Sequence, residues 1–117
     1  MTSVLIVDDH PSFRASVRRL LEAEGFAIVG EASDGYGAIA AAERLRPDVV
    51  LLDITLPGLD GFEVAAHLVA GGSEAAIVLT SSRAAAEYGP MVTRAPARAF
   101  IPKAELSGAA LAALLSA

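Results

Sequence analysis

VLIVDDHPSF, residues 4–13, runs four apolar residues into two adjacent carboxylates, then a histidine, a proline and the start of a helical pattern. A short aliphatic run of this kind reads as a strand buried on both faces, the mark of a parallel sheet covered by helices. Ending that strand on Asp8 and Asp9 sets a problem. Like charges so close repel, and partial burial adds a desolvation cost, so a positive group is expected beside them.

The same unit recurs along the chain. Strands are expected at Val4 to Val7, Phe26 to Glu31, Val49 to Asp53, Ala76 to Thr80 and Arg98 to Pro102. Helices are expected at Pro11 to Glu24, Tyr36 to Leu45, Gly61 to Val69, Ala84 to Arg94 and Glu105 to Leu115, the fourth with Pro90 in its pattern. In the first helix Pro11 suits the first helical position, Phe13, Val17, Leu20 and Leu21 share a face, and Gly25 stops it. Five β/α units predict an α/β fold with a doubly wound parallel sheet.

Composition narrows the class. A chain of 117 residues buries one core and makes one domain. Although 54% of residues are apolar, alanine supplies much of that fraction, and no run approaches the roughly eighteen apolar residues of a spanning helix. No membrane association is expected. The formal net charge of −5, without a lysine or arginine run, argues against direct nucleic-acid binding by this chain. No cysteine is present and Met1 leads almost directly into the first strand, so a cytoplasmic location is expected.

Polar residues mark the carboxyl end of the strands: Asp8 and Asp9 after the first, Asp53 ending the third, Thr80 and Ser81 ending the fourth, and Lys103 past the fifth. Open parallel sheets bind ligands beyond that edge, where the strand order reverses. With the order 2-1-3-4-5, the first and third strands are neighbours about 4.8 Å apart, so Asp8, Asp9 and Asp53 can meet around one small ion. Lys103 has the reach to join them from two strands away. Three carboxylates, a hydroxyl and an ammonium describe a Mg²⁺ site beside an oxyanion pocket.

These residues carry a resemblance. VDD at 7–9, LLDITLPGLDG at 51–61, IVLTS at 77–81 and AFIPK at 99–103 resemble the response-regulator receiver domains of two-component signalling, over nearly the whole chain. The resemblance implies a flavodoxin-like (βα)5 fold over residues 1–117, without an output domain in the chain. It implies that Asp53 is the phosphoacceptor, that Asp9 and Asp53 are side-chain Mg²⁺ ligands with Asp8 beside them, and that Thr55 lends its main-chain carbonyl. Ser81, which stands 28 residues after Asp53 and 22 before Lys103, matches the switch hydroxyl, and Phe100 the aromatic switch position. Thr55 and Arg83 resemble the positions that govern water access to the phosphoryl group. The implied partners are a sensor histidine kinase or phosphotransfer protein, and a second copy through the fourth helix, fifth strand and fifth helix. DDHPSF and IPK look most like receivers that precede a helix-turn-helix domain, which keeps open a place in a longer DNA-binding transcriptional regulator.

Other readings compete with these. A phosphatase with an aspartate nucleophile needs a second Asp two residues on, where Thr55 stands. A phosphorylation-independent interaction module has no use for the complete acid and lysine set. His10 reads as a solvent-facing or recognition residue rather than a ligand, and His67 as a helix-surface residue. Gly35 to Ala40 spells G-x-G-x-x-A, a dinucleotide fingerprint in form, but it follows the second strand rather than the first.

Between the fourth and fifth strands, Gly89-Pro90 interrupts a helix and Pro96 takes the place of a terminal glycine. Proline removes a donor and keeps its predecessor out of the helical region, so Gly89 and Ala95 are expected to be non-helical and the fourth helix broken, with Pro90 opening its second piece. In the last helix Leu111, Leu114 and Leu115 are expected inward, with Ala109, Ala112 and Ser116 outward.

Overall fold

Five strands pair in parallel in the order β2-β1-β3-β4-β5. The computed structural model describes residues 1–116. Along the chain run β1 (Ser3–Val7), α1 (Pro11–Ala23), β2 (Ala27–Ala32), α2 (Gly35–Leu45), β3 (Val49–Asp53), α3 (Gly61–Ala70), β4 (Ala76–Ser81), α4 (Pro90–Arg94), β5 (Ala99–Pro102) and α5 (Gly108–Leu115). Short 3₁₀ turns at Ala85–Tyr88 and Lys103–Glu105 precede α4 and α5.

Alternation along the strands splits the core into two layers. Leu5, Val7, Val50, Leu52, Ile77 and Leu79 pack against α2 and α3. Val4, Ile6, Val49, Leu51, Val78 and Ile101 pack against Val17 and Leu21 of α1 and Leu111 of α5. Every residue of β3 is buried, as the central strand of a sheet covered on both faces must be.

Helix starts follow from capping. Asp34 accepts the Gly37 N–H, and Asp60 and Glu63 form a reciprocal capping box that opens α3. Gly61 stands at a close approach. A Cβ there would lie 2.5 Å from the Asp53 carbonyl oxygen and 2.7 Å from Ile54 Cα, so only glycine lets α3 begin against the end of β3.

Two expectations are corrected. Leu20 is 49% exposed rather than part of the α1 core face. Helical geometry turns it about 100° from Leu21, off the stripe that Val17 and Leu21 press onto the sheet. The last helix begins at Gly108, not Glu105, because Ser107 is its cap: its hydroxyl accepts the Ala110 N–H at 3.0 Å. The fourth helix is broken as expected. Gly89 adopts φ 60° and ψ −138°, Pro90 opens the five-residue α4, and Ala95 is extended. Gly35, from the fingerprint-like stretch, opens α2 where a Cβ would meet Leu59 and Val64 at 2.8 Å, a packing role.

Replacing Gly61 with alanine is expected to cost about 1–3 kcal/mol, because the clash is with backbone that cannot yield. Urea denaturation of Gly61→Ala checks this, and an unchanged midpoint would contradict the close approach.

Candidate functional site

The strand register brings the polar ends together. Val7 pairs with Leu52, Asp53 with Thr80 and Ser81 with Pro102, so Asp8, Asp53, Ser81 and Lys103 all leave the sheet at one edge. Asp8 and Asp53 are buried, at 1% and 2% exposure, whereas Asp9 and His10 face solvent.

Lys103 joins the two buried acids. Its Nζ lies 2.7 Å from Asp8 Oδ2 and 3.3 Å from Asp53 Oδ2. The ammonium also sits 4.2 Å from the Phe13 ring centroid, a cation–π contact that roofs it from the α1 side. Thr55 donates its N–H to Asp53 Oδ1 at 3.2 Å. The Asp53 carboxylate is thus held at both oxygens.

Its neighbours set the charge states. Burial pushes the Asp53 carboxyl up to about 6, with Asp8 repelling it further and Lys103 only partly offsetting both. For Asp8 burial works the same way, but hydrogen bonds from Lys103 and the His10 N–H, with the Lys103 charge, outweigh it and leave its carboxyl below the ordinary value. Burial would lower Lys103, yet Asp8 and Asp53 together raise it, so the ammonium stays charged.

One ligand atom from each of Asp8, Asp9, His10 and Asp53 lies within 4.8 Å of every other. Three carboxylates against one ammonium leave an excess of negative charge on hard oxygen donors, the chemistry that suits Mg²⁺. His10 is placed differently from expectation in one respect. Its ring is largely exposed, but Nδ1 lies 3.1 Å from Asp8 Oδ1 and 3.0 Å from Asp9 Oδ1, bridging the pair.

Ser81 belongs to the other layer of the sheet. Buried at 1% exposure, its hydroxyl accepts the Arg83 N–H at 3.1 Å and shares a 2.5 Å hydrogen bond with Tyr88 Oη instead of turning to Asp53. Phe100 is half-buried in the same layer, packed against the α2 and α3 side. Thr80, in register with Asp53, is buried with its hydroxyl unpartnered among the described residues.

Four residues escaped the sequence reading. Arg14 donates from Nη1 to the Asp8 carbonyl at 2.6 Å and from Nε to Glu31 at 3.0 Å, and Arg18 grips the other oxygen of Glu31. This braces the turn that presents Asp8 and Asp9. Arg14 stands one helical turn after His10 and Glu31 is the one acid of β2, the only sequence signals for the pair. Tyr88 left no signal at all.

The family model for the response regulator receiver domain matches residues 4–115. This chain belongs to that family. A Pseudomonas aeruginosa protein described as a transcriptional regulator is 42% identical to this receiver over 105 residues, which cover 90% of the chain and 51% of that protein. The signal receiver domain of a response regulator, NarL, from Mycobacterium tuberculosis superposes with a TM-score of 0.87 at 32% identity, covering 99% of this chain and 98% of that one. The CheX–CheY–BeF3–Mg²⁺ complex from Borrelia burgdorferi gives a TM-score of 0.85 at 27% identity, with 97% and 86% coverage. The receiver spans about half the length of the curated relatives it matches. Among the described residues no helix is long and apolar enough to cross a membrane.

The raised Asp53 carboxyl has a stability consequence whose sign is fixed. Between its unfolded value near 4 and its folded value of about 6, the folded protein binds more protons, so this group makes stability fall as pH rises through that window. In cation-free buffer Asp53→Asn is expected to be more stable than wild type at pH 7.5, by on the order of 2 kcal/mol, and equal to it near pH 4. Paired urea denaturations at the two pH values check this, and a variant less stable at pH 7.5 would contradict it.

Proposed function

We propose that this receiver accepts a phosphoryl group on Asp53 from a phosphohistidine of a sensor histidine kinase or phosphotransfer protein, in a Mg²⁺-dependent reaction, and signals by changing conformation. The observation that carries the proposal is the buried Asp53 carboxylate gripped by Lys103 Nζ and the Thr55 N–H at the edge where Asp8 and Asp9 converge.

Phosphoryl transfer asks the protein for alignment and charge neutralisation rather than covalent help. An Asp53 oxygen attacks phosphorus, the phosphorus–nitrogen bond of the donor breaks, and the imidazole leaves with the bonding pair. Lys103 pairs with the equatorial oxygens as their charge spreads. Asp8, which keeps its negative charge, holds the ammonium in place between transfers. Thr55 N–H orients the carboxylate so that one oxygen faces outward.

Asp9 and Asp53 would hold Mg²⁺ by their side chains, with the Thr55 carbonyl as a further ligand and Asp8 completing the acidic pocket. When bound, the ion supplies positive charge that offsets the phosphoryl oxygens. His10 would yield its place, since Mg²⁺ prefers oxygen donors. The Borrelia burgdorferi complex, whose name records BeF3 and Mg²⁺, supports this reading for a related fold.

Output would run through α4, β5 and α5, where Ala109, Ala112 and Ala113 lie exposed and uncharged as a face for a second copy. A second reading makes the receiver the regulatory half of a longer DNA-binding transcriptional regulator. The match of this receiver to about half the length of relatives described as transcriptional regulators, such as the Pseudomonas aeruginosa protein, supports this reading.

Incubation with acetyl phosphate and Mg²⁺ is expected to add about 80 Da, one phosphoryl group, to the intact mass. The adduct should vanish in Asp53→Asn and with a chelator present. An adduct that persists in Asp53→Asn, or none in wild type, would refute the assignment. Millimolar Mg²⁺ alone is expected to raise the melting temperature of wild type by mass action and leave Asp53→Asn less affected, as thermal denaturation would show.

A further inference from the structure

We propose that Tyr88 is a positioning residue that holds the Ser81 hydroxyl away from Asp53 in the unphosphorylated receiver and gives it up on phosphorylation, so that the turn carrying Tyr88 moves with the phosphoryl state. The inference rests on the reading of Asp53 as acceptor and Ser81 as switch hydroxyl.

A serine hydroxyl has one proton and two lone pairs. Here one lone pair takes the Arg83 N–H at 3.1 Å, and the Tyr88 hydroxyl at 2.5 Å occupies a second position. To donate to a phosphoryl oxygen on Asp53, Ser81 must turn across the end of β4, because its side chain lies in the α2 and α3 layer while Asp53 continues the α1 and α5 layer. That turn breaks the bond to Tyr88. A phenol left unpaired in a half-buried position then loses its reason to stay.

The surroundings make the response local and directed. The Tyr88 ring stands edge-on to Phe62, with centroids 5.7 Å apart, and to Phe100, at 6.4 Å. Phe62 belongs to α3, which backs onto Asp53 through Gly61, and Phe100 lies on β5, so a shift of Tyr88 is felt at both. The turn itself is lightly anchored. Neither Ala85–Tyr88 nor α4 contains a fully buried residue, and Gly89, at φ 60°, separates the two pieces. Tyr88 is therefore the principal tie between this segment and the body of the domain, and it is tied through the same hydroxyl that the phosphoryl group is to claim.

The sequence supplies its own probe. The chain has two tyrosines and no tryptophan. Tyr36 is 67% exposed and lies outside the acceptor pocket, so Tyr36→Phe leaves Tyr88 as the sole emitter. Acrylamide quenching of that emission is followed before and after treatment with acetyl phosphate and Mg²⁺, with intact mass recording phosphorylation of the same samples. Quenching is expected to rise in proportion to the phosphorylated fraction, and Ser81→Ala in this background should show the raised quenching before any phosphoryl group is added. Tyr88→Phe, which keeps the ring, is expected to raise the phosphorylated fraction at limiting donor, with the equilibrium shifted about three- to tenfold. A mass adduct with unchanged quenching would overturn the proposal while leaving Asp53 as acceptor. An unchanged or lower phosphorylated fraction in Tyr88→Phe would also overturn it. Absence of any adduct would remove the acceptor assignment and this inference with it.

Discussion

A single ammonium lets two buried carboxylates coexist at the end of this sheet. Lys103 lies 2.7 Å from Asp8 and 3.3 Å from Asp53, and without it the two acids would repel each other at low exposure. The architecture meets this demand. β1, β3 and β5 must end level, and β5 must deliver Lys103 across β4, which the parallel register achieves. The Phe13 ring from α1 covers the ammonium, and Arg14 of the same helix grips the Asp8 carbonyl, so the first helix serves the site twice.

The compensation is unequal, and the inequality is useful. Asp8 takes the shorter contact to Lys103 together with bonds from His10, and stays below its usual value, while Asp53 is left with a carboxyl raised to about 6. An acid that is buried, incompletely neutralised and oriented by one N–H is unstable as a resting carboxylate. It is also placed to be relieved by any cation or modification that removes its excess charge. The same electrostatic tension therefore accounts for the cost of the site in stability.

The two faces of the sheet divide the labour. Asp8, Asp53 and Lys103 continue the layer of Ile6, Leu51 and Ile101 toward α1 and α5, whereas Ser81, Phe100 and Tyr88 continue the layer of Leu79 toward α2 and α3. The carboxylate–ammonium cluster lies on one face and the Ser81 hydroxyl on the other.

Much of this was legible in the sequence. Aliphatic runs of strand length, acids at the ends of the first and third, and a lysine after Ile-Pro mark a parallel sheet with its polar residues at one edge, because period is a local property. The strand order that lets Asp8, Asp9, Asp53 and Lys103 converge came with the family resemblance and is borne out by the structure. Gly89-Pro90 likewise determined the broken fourth helix through backbone restrictions that act on neighbours alone. Tertiary structure decided the rest. That Leu20 faces solvent, that Arg14 braces the Asp8 carbonyl, that His10 bridges two carboxylates and that Tyr88 takes the Ser81 hydroxyl all depend on which side chains meet once helices have docked at particular angles and depths. Such contacts have no sequence period, since they are set by packing between elements, and packing exists only when the whole core has formed.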